Sequence, residues 1–134
     1  MITETRKAIY QKLNSASGVT SLLSSATAIY AQQAPVGAVM PYIVFIHAAG
    51  GDDNLTPTDS GDLTYYIKAV SKDLATSEAI ATAARSALHE QDLTMDAPWE
   101  AYRCQAGAII NTVENVDKAQ FYHVGNVYRI RVTQ

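Results

Sequence analysis

The chain has 134 residues, 48% of them hydrophobic and 17% charged, with a formal net charge of −3. That length suits a single domain, 1–134, that buries one core without disulfides or metal. The acidic balance argues against a nucleic-acid-binding domain, which needs a basic excess for phosphate contacts.

Met1 to Lys7 carries charges with no apolar stretch behind them, so a signal peptide is not expected, and no run of ~18 apolar residues is present to span a membrane. The first helix is expected from Thr3 to about Leu13, with Ile2, Ile9 and Leu13 as an incomplete apolar stripe. Ser15-Ala16-Ser17-Gly18 interrupts it, and a short second helix follows over Val19–Ser24. Thr27–Ala31 reads as a short strand. Pro35, Gly37 and Pro41 then mark a loop, because each proline drives the residue before it toward extended geometry.

Tyr42-Ile43-Val44-Phe45-Ile46 is β-branched and aromatic on both faces and predicts a central strand. Ala48 to Gly61 is broken by Gly and Pro and rich in Asp, which predicts a long polar hairpin tip. Asp62–Val70 alternates and should pair back as the second hairpin strand. Ser71 or Asp73 then caps the best helix of the chain, whose stripe is Leu74, Ile80, Ala83, Ala84, Ala87 and Leu88. It ends near His89–Gln91.

Two strands complete the chain. Tyr102–Thr112 is read with Tyr102, Cys104, Ala106, Ala108 and Ile110 on one face. Gln120–Thr133 places Tyr128, Ile130 and Val132 inward and Arg129 and Arg131 outward, with Gly125 as a candidate bulge. A turn near Glu114–Lys118 joins them. After the N-terminal helices the order is ββ-α-ββ: an α+β fold with a mostly antiparallel sheet and helices packed on one face.

Chemistry is sparse. His47, His89 and His123 stand singly without metal-ligand spacing, and one cysteine, Cys104, in an alternating strand reads as a small core residue. No nucleophile elbow or phosphate-cradling glycine loop occurs, so neither catalytic residues nor a cofactor is expected. Asp52, Asp53, Asp59 and Asp62 could offer oxygen ligands to Ca²⁺ or Mg²⁺, but without EF-hand spacing. A solvated tip and an arm that orders on contact are the other readings of this loop, and the arm is preferred. Its residues are Asp52, Asp53, Asn54, Leu55, Pro57 and Asp59, with Leu55 or Pro57 touching a neighbour. Arg103, Arg129 and Arg131 read either as a face for an acidic partner or as a solvated sheet surface.

Ile29-Tyr30, Ala34-Pro35-Val36-Gly37-Ala38 and Pro41-Tyr42-Ile43-Val44-Phe45 together resemble the tail terminator, or tail-completion, family of long-tailed bacteriophages. Gly50-Gly51-Asp52, the helix through Ala79–Leu88 and Tyr128-Arg129 follow in the family's order. The resemblance implies a non-catalytic subunit of a ring, commonly a hexamer, that caps the head-proximal end of the tail tube. Such a ring stops tube polymerisation and presents the surface for head joining. It implies as partners further copies of the chain, the tail tube protein and a head–tail connector protein, with DNA passing through unbound. The place implied is the virion tail, assembled in the host bacterial cytoplasm. A head–tail connector or neck protein, or another non-catalytic binding module, is the alternative.

Overall fold

The computed structural model describes residues 1–54 and 59–134. The elements are α1 (Ile2–Ser15), α2 (Ser17–Thr20), β1 (Ile29–Ala31), β2 (Tyr42–Asp52), β3 (Ser60–Ser71), α3 (Leu74–Leu88), β4 (Glu100–Val116) and β5 (Ala119–Thr133). The strands form one five-stranded sheet in the order β1-β2-β3-β5-β4. All pairings are antiparallel except β1 with β2. The expected α+β architecture is observed, and the short strand expected within Thr27–Ala31 is β1, whose parallel pairing its three residues could not announce.

The helices cover one face of the sheet. Ala8, Ile9 and Leu13 of α1 and Ile80, Ala84 and Leu88 of α3 join Phe45, Leu63, Tyr65, Ile67, Tyr128 and Ile130 in one core. The alanines on α3 keep that helix close to β3 and β5. Asp73 is its N-cap, accepting a hydrogen bond from the Thr76 amide at 3.0 Å. Leu74, read as part of the buried stripe, is 38% exposed, because it lies in the first turn beyond the sheet contact.

Two expectations are corrected. The polar tip is shorter than read: Ala48 to Asp52 belong to β2 and Ser60–Gly61 to β3, so only residues 53–59 connect the strands. Gly50 makes this possible. Its φ of +88° suits glycine, and a Cβ there would lie 2.0 Å from the Asp62 carbonyl oxygen. A register shift between His47 and Ala49 precedes it. The chain therefore stays in the ladder through a stretch whose composition reads as loop.

The second correction concerns β4. Register shifts lie between Ala101 and Arg103 and between Ala106 and Ile109. Each adds a residue and breaks the period of two, so the single stripe read from the sequence does not exist. Cys104 is buried against the core and Ala106 packs beside it. Tyr102 instead swings out, 55% exposed, and Ile109 replaces Ala108 and Ile110 on the helix side. Gly125 is not a bulge, since the β3–β5 register runs through it unbroken. Asp117 and Lys118, both at positive φ, form the two-residue turn of the β4–β5 hairpin.

Candidate functional site

The acidic tip and the arginine strands, read as separate features, are one constellation on the sheet face opposite the helices. Cross-strand register places Asp62, Arg131 and Arg103 on one rung and Thr64, Arg129 and Gln105 on the next. Arg129 Nε donates to Oδ1 and Oδ2 of Asp62, each at 2.9 Å, and its Nη2 also donates to Oδ2. A guanidinium fork on a carboxylate is a directional pairing that fixes both side chains. This guanidinium holds the Asp62 carboxyl below its ordinary 3.8, and the carboxylate in turn raises Arg129.

Arg131 binds the base of the tip. Its Nη2 donates to Asp53 Oδ2 at 3.5 Å, and Ser60 Oγ donates to the same oxygen at 3.2 Å. The Asp53 amide donates to the Ser60 carbonyl at 2.9 Å, and the Gln134 amide to the Asp59 carbonyl at 2.8 Å. The Arg131 guanidinium lies 5.8 Å from the centre of the Tyr102 ring, a cation–π distance. The bulge that expels Tyr102 from the core is what places it there. Arg103, opposite Arg131 across the strand pair, is exposed.

Of the predicted arm residues, Asp53 is tied down, while Asp52, Asn54 and Asp59 are exposed. Leu55 and Pro57 lie outside the described residues. The cation reading of the acids loses two of its members to arginine, and among the described residues no three His, Cys, Asp or Glu side chains gather as a metal site.

The remaining reactive groups lie apart from this constellation. Burial pushes the Cys104 thiol up to about 12, so it is a neutral core group near pH 7. His89 Nδ1 accepts the Ala106 amide at 2.9 Å, closing part of the β4 edge. His123 Nε2 lies 3.0 Å from Glu114 Oε2, and the His47 ring lies 5.3 Å from that of Tyr65. Sequence reasoning missed Gln32, whose side-chain oxygen accepts the His47 amide at 2.8 Å and continues β1's role beyond its last residue. Nothing local in the sequence marks that contact. No helix among the described residues is long and apolar enough to cross a membrane.

The Asp62–Arg129 pair makes a pH prediction. A carboxyl whose folded value is depressed contributes stability that is full above its unfolded value and is lost as pH falls through the folded one. Asp62→Asn should therefore lower the urea midpoint slightly at pH 7, and the deficit should shrink below about pH 4. An equal deficit at pH 7 and pH 3 would show that the ion pair is not its origin.

The described residues thus make a small α+β unit with a patterned charged sheet face. The fold is shared with a virion component. A chain of the structure titled "Virion of native gene transfer agent (GTA) particle" aligns at a TM-score of 0.81 and 21% identity, covering 99% of this chain and 97% of that one. The sequence model of the family described as tail completion protein gp17 matches residues 7–133, and the chain belongs to that family. No individually curated protein matches the sequence. The protein is thus a bacteriophage-type virion structural protein of the tail-completion class.

Proposed function

We propose that this chain is the tail terminator: it closes as a ring, of six subunits, on the head-proximal end of the tail tube, stops tube growth and offers the surface for head joining. The observation that carries this is the family match over nearly the whole chain, residues 7–133. The outward arginines and exposed acids suit protein partners, here the tail tube protein and a head–tail connector protein. The net charge of −3 suits a lumen through which DNA passes without sticking. The role is non-catalytic and needs no cofactor. Assembly takes place in the host bacterial cytoplasm, and the finished protein stays in the virion tail.

Electron microscopy of tails made with and without the protein tests this. Overlong, uncapped tubes are expected in its absence, and normal length on adding it back. Tails of normal length that simply fail to join heads would replace the terminator by the connector reading.

A further inference from the structure

The edge strands of the sheet are β1 on one side and β4 on the other. β1 is partly closed by its own turns, the Ile29 amide donating to the Thr27 carbonyl at 2.8 Å and the Gln33 amide to the Ala31 carbonyl at 2.7 Å, so what it offers a neighbour is mainly the groove beside it. The first half of β4 is closed by its own chain. The Glu90 amide donates to the Cys104 carbonyl at 2.7 Å, and the Ala106 amide to His89 Nδ1 at 2.9 Å. Among the described residues the strand pairs only with β5 from Ile109 onward, and Ile109 is 77% and Val113 51% exposed. An apolar strand edge left open is a template for another strand.

A groove of about 520 Å³ runs along β1 beneath α1, with Tyr10, Ile29, Ala31 and Phe45 as its apolar lining and Arg6 on its rim. A second groove, of about 470 Å³, lies on the same sheet face between α3 and β4, with Ile109 on one wall and Glu78 on the other.

The register links the two. One ladder crosses the whole sheet: Ala31 opposite Phe45, Phe45 opposite Ile67, Ile67 opposite Asn126, and Asn126 opposite Ile109. Ile109 therefore stands at the level of Ala31, at the other end of the same rung. Rotation about an axis along the strands keeps that level. It brings Ile109 of one copy beside Ala31 of the next, on the helix side where the groove opens. The strand directions also agree: β4 runs opposite to β1, so the new pair is antiparallel.

We infer that copies of this chain join head to tail through β4 of one and β1 of the next, with Ile109 seated in the neighbour's α1–β1 groove. The contact is heterologous, as a closing ring requires. This inference rests on the ring reading and specifies its interface. It leaves the arginine face, on the other side of the sheet, free for a different role.

The test uses full-length protein with Cys104→Ser, Ala31→Cys and Ile109→Cys, free and on tail-tube ends. Oxidation should yield a ladder of covalent oligomers, absent when either new cysteine is omitted. Ile109→Asp should leave the melting temperature unchanged, because the side chain is exposed, and weaken self-association on tube ends by about tenfold or more. Closed rings that give no ladder would overturn this interface and leave the ring reading intact. Absence of any closed assembly, free or on tubes, would overturn both.

Discussion

Gly125→Ala is expected to cost about 3 kcal/mol or more, lowering the melting temperature by about 10 °C. Gly125 lies in β5 with Lys68 of β3 opposite on one side and Ile110 of β4 on the other. A Cβ there would stand 2.0 Å from the Ile67 carbonyl oxygen, 2.6 Å from Lys68 Cα and 2.8 Å from the Ile67 carbonyl carbon. These are backbone atoms, held between neighbouring strands, and no rotamer change relieves the overlap. The sheet must separate locally, which lengthens ladder hydrogen bonds in its middle. Gly51→Ala is the control, since nothing lies within 4 Å of its added Cβ. Urea unfolding of the two variants beside the parent checks this. A Gly125→Ala variant within 1 kcal/mol of the parent would mean that β3 and β5 do not approach as described.

Why this glycine was misread shows what the sequence carries and what it does not. A glycine in an alternating strand signals either a bulge or a close backbone approach, and the two are indistinguishable without the partner strand. Of the actual bulges, the one at Tyr102 carries no such mark, while the one at Gly107–Ala108 does contain a glycine, and local pattern cannot tell it from Gly125. Strands and helices whose burial follows one period were legible: β3 and β5 by alternation, α3 by its alanine stripe and Asp73 cap. The β2 extension was not, because Gly50 and Gly51 have loop composition and enter the ladder only through a specific approach to Asp62. The strand β1 was legible within Thr27–Ala31, but its parallel pairing with Ile43–Phe45 was not, because the connection, residues 32–41, has no helix to announce it.

The site divides in the same way. Alternation alone put Arg129 outward, and aspartate content alone singled out Asp53 and Asp62. Their pairing depends on register between segments 67 and 78 residues apart, which no local pattern encodes. The arm was therefore read without an anchor, as a loop that orders on contact, while its base is fastened by Arg131 and Ser60. The family resemblance, by contrast, was carried by contiguous residues around Ala34–Phe45 and did not need the register.

Arg131→Glu should release the β2–β3 tip and impair tail completion by tenfold or more, on the order of one lost charge-assisted contact together with new repulsion. The substituted carboxylate would stand opposite Asp62 on its rung and beside Asp53, where the guanidinium now sits. Its cation–π contact with Tyr102 would vanish as well. Folding should survive, because Val132 and Ile130 keep β5 in the core and the pair lies at the sheet's end. Hydrogen exchange should accelerate at the Asp53 and Gln134 amides, which anchor the two sides of the tip, and stay slow at Ile67 and Val124. Adding Asp53→Arg to the same chain exchanges the two charges. That double variant should regain slow exchange at the tip and most of the tail-completion function, while Asp53→Arg alone should behave like the first variant. Tail completion is read from tail lengths in electron micrographs and from the yield of filled heads bearing tails. Fast exchange at the tip with normal tail length and normal joining would show that the acidic tip takes no part in assembly and that Arg131 only trims the end of the sheet.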